Sequence, residues 1–245
     1  MASASPSSQI LAFEPFEGNI PHFRKLVGDT PNIELIQKAV SDFNGDGKLY
    51  VSSTQTGKEK GWEGREGYSS SVTLMSEDNP KFDHAKSGIV PVCSVDEVVS
   101  GPVRFMKVDV QGGEIGVLKG AEKTLAQYGI DMIFIEFEGD RRIIDFLLEK
   151  EYVLIDSGHY MYSQKPDGPR AVDVSPSFKA STVASGREVA AGELIERPLG
   201  AEDYIQFFTQ LGKLALHTDL LAIRREYMPD FLHALADLQR NRPLG

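Results

Sequence analysis

Residues 103–114 read Val-Arg-Phe-Met-Lys-Val-Asp-Val-Gln-Gly-Gly-Glu. An apolar run, Val103 to Val110, meets Gly112-Gly113, and a helical pattern starts at Glu114. Val117, Leu118, Ala121, Leu125 and Tyr128 fall on one helical face, and Gly129 suits a C-cap. Ile130 to Phe137 is a second near-continuous apolar run. Asp140 to Lys150 reads as a helix capped by Asp140, with Ile143, Ile144, Leu147 and Leu148 buried, and Tyr152 to Asp156 as a strand. Apolar strands alternating with amphipathic helices predict an α/β fold built on a parallel sheet covered on both faces.

Upstream, Gln9 to Phe13 predicts a strand that stops at Glu14-Pro15. Asn19 to Val27 predicts a helix with Asn19 as N-cap and Ile20, Phe23, Leu26 and Val27 on one face. Asn32 to Val40 and Lys48 to Ser53 read as further strands. Residues 54–88 read as a long surface loop, rich in Gly, Ser and Lys. Val90 to Cys93 reads as a short strand and Ser94 to Val99 as a helical turn. Downstream, the pattern breaks at Ser157. Leu220 to Arg225 resumes as a strand, and Pro229 to Arg240 closes as a helix. The organisation is therefore a flexible leader over residues 1–9 and one domain over 10–245, with an insertion at about 158–217.

The chain has 245 residues and a formal net charge of -10, which argues against a broad nucleic-acid or anionic-membrane surface. No stretch approaches the roughly 20 apolar residues of a membrane helix. Residues 1–9 hold no apolar signal core, and a single cysteine, Cys93, allows no intrachain disulfide. A reducing, cytoplasmic location is the simplest expectation.

In an open α/β sheet, ligands bind beyond the carboxyl ends of the strands. The polar residues expected there are Glu14, Ser41-Asp42, Asp109 with Gln111, Glu136 with Glu138, and Asp156. A carboxylate in such a place can accept hydrogen bonds from a ribose diol, hold an ammonium group, or act as a base.

These residues sit in motifs that resemble the FkbM-type methyltransferases. The similar stretches are Ala12-Phe13-Glu14-Pro15 followed by Asn19, Ala39-Val40-Ser41-Asp42 with Gly45, and Lys107 to Glu114 with Val117 to Ala121. Phe134-Ile135-Glu136 and Asp219 to Ile223 resemble that family's later strands. The resemblance covers roughly residues 9–157 and 218–238. It implies a Rossmann-like class I sheet, mostly parallel with an antiparallel last strand, and methyl transfer from S-adenosylmethionine to oxygen of a small-molecule or sugar-type acceptor. It gives Glu14, with Asn19 beside it, to the ribose hydroxyls. Val40, Ser41 and Asp42 border the adenine. Asp109 lies near the methionine end and the acceptor, as base or anchor, and Glu136 faces the acceptor side. Gln111, where the family usually has Glu, and Glu114 follow at the mouth of the cleft. His159, Tyr160 and Tyr162, at the start of the insertion, are acceptor contacts if that segment covers the acceptor side.

The family's first strand and glycine-rich turn have no counterpart before Ile10, since MASASPSSQ holds no glycine and no apolar run. The Ile10 and Val103 strands are then expected either to pair directly or to keep open edges. An added segment or subunit could fill the gap, which leaves room for a homodimer. A non-catalytic or truncated relative is the rival reading.

Residues 42–49 fit the first eight positions of a calcium-binding EF-hand loop, but Ser53 stands at the twelfth, where the bidentate Glu belongs. No metal-ligand spacing of His or Cys occurs, and no Gly-x-Gly-x-x-Gly fingerprint.

Overall fold

A computed structural model describes residues 7–52, 70–72, 82–156, 218–231 and 233. His159, Tyr160, Tyr162 and the expected insertion lie outside the described residues, as does most of the closing helix. The described residues group into two compact units. The first takes the residues up to Ser100 plus Val110–Thr124; the second takes Gly101–Asp109 and the residues from Leu125.

The first unit begins with β1 (Ile10–Phe13), which pairs parallel with β2 (Ile33–Ile36). Helix α1 (Ile20–Val27) joins them, with Pro21 in its first turn, where no N–H is needed. Of the expected apolar face only Ile20 is buried, and Leu26 is 86% exposed. The single strand expected over 32–40 breaks at Gln37-Lys38, and β3 (Ala39–Val40) leaves for a different sheet. That sheet runs β3-β6-β4-β5, with β4 (Gly45–Ser52), β5 (Ser70–Val72) and β6 (Phe82–Cys93). β3 is parallel to β6, while β4 pairs antiparallel with β6 and β5.

Two expectations change here. Residues 70–72 and 82–88 are strand where the composition reads as loop. Gly45–Ser52 is also strand, so the EF-hand-like stretch is ladder-bonded backbone and not a loop curled around an ion. Asn44, a would-be ligand, spends its side-chain oxygen on the Ser94 backbone N–H at 2.7 Å.

The long helix expected over 114–128 is two short ones, α3 (Glu114–Lys119) and α4 (Glu122–Gln127). Gly120 closes α3, its N–H bonding back to the Gly116 carbonyl at 2.8 Å. The start of α4 is capped from outside. Asp96, on α2 (Val95–Val98), accepts from Lys123 N, Thr124 N and the Thr124 hydroxyl at 3.0, 2.7 and 2.8 Å. This substitute cap lets the chain restart a helix without a cap of its own. Tyr128, expected on the buried face, is 41% exposed.

The second unit is a four-stranded sheet ordered β7-β8-β10-β9, with β7 (Val103–Val108), β8 (Ile130–Phe137), β9 (Tyr152–Asp156) and β10 (Thr218–Arg224). β7 and β8 are parallel, and β10 runs antiparallel to both β8 and β9. Three strands therefore share one direction and the last opposes them, as the sequence leads one to expect. Asp131, Ile133, Ile135 and Phe137 turn to a fully buried face, while Met132, Phe134 and Glu136 alternate onto a half-buried one. Helix α5 (Arg141–Glu149) starts at the expected Asp140 cap, whose side chain accepts from Arg142 N at 3.0 Å. It buries Ile143, Ile144, Phe146 and Leu147, each such side chain contributing about 1.5–3 kcal/mol. Leu148 is only half-buried.

Candidate functional site

In the first unit, Glu14 follows β1 and its N–H extends the ladder to the Ile36 carbonyl at 3.2 Å. Pro15 turns the chain, and the Glu14 carboxylate folds over that turn. Its Oε1 accepts from Phe16 N at 2.9 Å and its Oε2 from Asn19 Nδ2 at 3.1 Å. Asn19 therefore does not cap α1 with its side chain, as the sequence suggests; it steadies Glu14. An ionised carboxylate has about four lone-pair sites, and these two bonds leave acceptor capacity on both oxygens. That acceptor chemistry fits a ribose diol.

Val40 ends β3, and Ser41 N continues the ladder to the Cys93 carbonyl at 3.0 Å. Ser41 Oγ donates to Asp42 Oδ1 at 3.3 Å. Behind this turn lies α3, and Gly116 within it and Gly120 at its C-cap permit the approach. A Cβ at Gly116 would stand 2.9 Å from Ser41 Oγ, and one at Gly120 would overlap the Ser41 carbonyl oxygen. Neither glycine stands out in the sequence as a site determinant. The available signal is their four-residue spacing, which puts them on one face of a helix.

Glu114 is 5% exposed, and its carboxylate points into its own chain. It accepts from Val110 N at 3.1 Å and from Gly112 N at 3.1 and 3.0 Å. These bonds hold a turn in which Gln111 and Gly112 take left-handed backbone, with φ of 59° and 106°. Glycine adopts that shape freely, whereas for glutamine it costs about 1–2 kcal/mol. The arrangement makes Glu114 a brace of the turn that presents Gln111.

Cys93, the last residue of β6, pairs with Val40 of β3 and is fully buried. Burial pushes its thiol above the ordinary value; Lys38 opposes this and Glu97 adds to it. A thiol held protonated is a poor nucleophile.

In the second unit, the register brings four charged residues to one end of one face. Lys107 pairs with Phe134 across β7 and β8, two residues before Glu136, and Glu136 is the direct partner of Asp219 on β10. Asp109 follows β7, and its Oδ2 meets Lys107 Nζ at 2.8 Å. Burial of the stem pulls the Lys107 ammonium down. The hydrogen bond and charge of Asp109, then Asp219 and Glu136, outweigh that and leave it above the ordinary lysine value. The sequence predicts Asp109 and Glu136 at this end of the sheet, and it places Lys107 and Asp219 only within family-like motifs. Alternation by two from Lys107 to Asp109 was the signal that could have found the first.

Among the described residues, no group of three or more His, Cys, Asp or Glu could hold a metal ion, and no helix is long and apolar enough to cross a membrane.

Residues 2–154 match the methyltransferase FkbM domain. That is more than half of the 245 residues. The chain belongs to the FkbM methyltransferase family. A solved FkbM methyltransferase from Methylobacillus flagellatus KT is similar at 12% identity and a TM-score of 0.40. That likeness takes in 62% of this chain and 34% of the other, so the chain spans about a third of that protein's length. No curated protein sequence matches.

Proposed function

We propose that this FkbM chain methylates an oxygen of a small-molecule or sugar-type acceptor, with S-adenosylmethionine as donor. The observation that carries the reading is the family match over residues 2–154, which takes in Glu14, Val40 to Asp42, Asp109 and Glu136. The donor supplies a methyl carbon made electrophilic by a sulfonium. The chain's own part is binding, orientation and removal of one proton.

In this reading Glu14, steadied by Asn19 and Phe16 N, accepts the two ribose hydroxyls. Val40, Ser41 and Asp42 border the adenine, in a place set by Gly116 and Gly120. Gln111 contributes from its left-handed turn. On the second unit, Asp109 accepts the proton of the acceptor hydroxyl and Glu136 binds a neighbouring hydroxyl. Three carboxylates against one ammonium make this end of the sheet anionic, which favours neutral, hydroxyl-rich acceptors over carboxylates or phosphates.

Isothermal titration of the full chain with S-adenosylhomocysteine tests the donor. Saturable heat with a dissociation constant in the micromolar range is expected, weakened at least tenfold by Glu14→Gln. No heat at millimolar ligand sinks the reading.

A further inference from the structure

We infer that Lys107 is a positioning residue: its ammonium orients the Asp109 carboxylate and offsets the opposed charges of Glu136 and Asp219. The Lys107–Asp109 contact is 2.8 Å, with Lys107 on β7 and Asp109 just beyond its end. Glu136 and Asp219 are register partners on the same face, one strand pair away. Like charges directly opposite in an antiparallel pair repel, and a cation at the same end of the sheet relieves them. The charged groups acting on Lys107 are these three carboxylates, and together they hold it protonated against the effect of burial. The role acts through Asp109, so its meaning for turnover rests on the methyltransferase reading, while the electrostatic cluster stands apart from it.

The test uses the full chain labelled with 13C and 15N at lysine. The Lys107 ε-carbon is expected to titrate above the other lysines. Asp109→Asn brings its midpoint down to theirs, and Asp219→Asn and Glu136→Gln each lower it by a smaller step. A second measurement avoids alkali. Near pH 6, the Lys107 ammonium signal is expected apart from the bulk lysines and merges with them in Asp109→Asn. Lys107 titrating with the bulk lysines in the unmodified chain, or standing unmoved in Asp109→Asn, overturns the inference. The two failures are separable: S-adenosylhomocysteine heat with an ordinary Lys107 overturns this inference alone. A displaced Lys107 without that heat overturns the methyltransferase reading alone.

Discussion

Glu136 on β8 and Asp219 on β10 are direct register partners across an antiparallel pair, so two carboxylates oppose each other at one end of the two inner strands. Such a pair costs about 0.2–1 kcal/mol where nothing relieves it. Lys107 shares that end of the sheet and feels both charges. Asp219→Asn is therefore expected to stabilise the chain more in a Lys107→Met background than in the unmodified one. Urea unfolding of the four chains in this cycle measures the difference, and equal effects in both backgrounds would remove Lys107 from the account.

The same lysine sets a pH dependence. Burial alone would lower Lys107, but Asp109, Asp219 and Glu136 raise it above its unfolded value. A raised cation contributes stability fully below the unfolded value of about 10.4 and loses it as pH climbs through the folded one. Because the side chain is 56% exposed, solvent screening holds the contribution to under about 1 kcal/mol. The stability gap between the unmodified chain and Lys107→Met is expected to stay level from pH 7 to 9 and to close above pH 10.5 or so. A gap that widens in alkali contradicts this ordering.

Much of the second unit was legible because its signals are local. The near-continuous apolar run of Ile130 to Phe137, the Asp140 cap and the apolar face of α5 are all written between Ile130 and Glu149. The first unit was less legible because its decisive contacts are distant in sequence. Nothing near Thr124 announces that Asp96, 28 positions earlier, caps its helix. Nothing in Gly-Asp-Gly-Lys, which has turn chemistry, says that β6 will recruit it as strand. The carboxylates of the candidate site were visible as residues ending apolar runs. Their partners were not: Glu114 reads as a cleft residue until its oxygens are seen on Val110 N and Gly112 N.

Asp96 gives a stability prediction. It takes three donors from the first turn of α4, two of them backbone N–H groups that α4 itself cannot satisfy. Asp96→Ala is expected to cost about 1 kcal/mol, within the 0.5–2 range of lost caps. Asp96→Asn keeps an acceptor oxygen and should recover most of that. Chemical unfolding measures both, and an Asp96→Ala chain as stable as the original rejects the cap.

Gly120 links packing to ligand binding within the first unit. Its missing side chain is what lets the Ser41 carbonyl rest against α3, since a Cβ there would overlap backbone that no rotamer change can move. Gly120 has an ordinary helical φ of -67°, so alanine brings no dihedral strain and the effect isolates the overlap. Gly120→Ala should then cost about 1–3 kcal/mol, the range for overpacking. The displaced turn carries Val40, Ser41 and Asp42, so S-adenosylhomocysteine affinity should fall several-fold in the folded fraction. Gly112→Ala is the contrasting case, because its φ of 106° is strained for alanine while no atom lies within 4 Å of the added carbon. Calorimetry on both variants separates the two causes. If Gly120→Ala binds as tightly as the unmodified chain while losing stability, the Ser41–Asp42 turn is not part of the cofactor site.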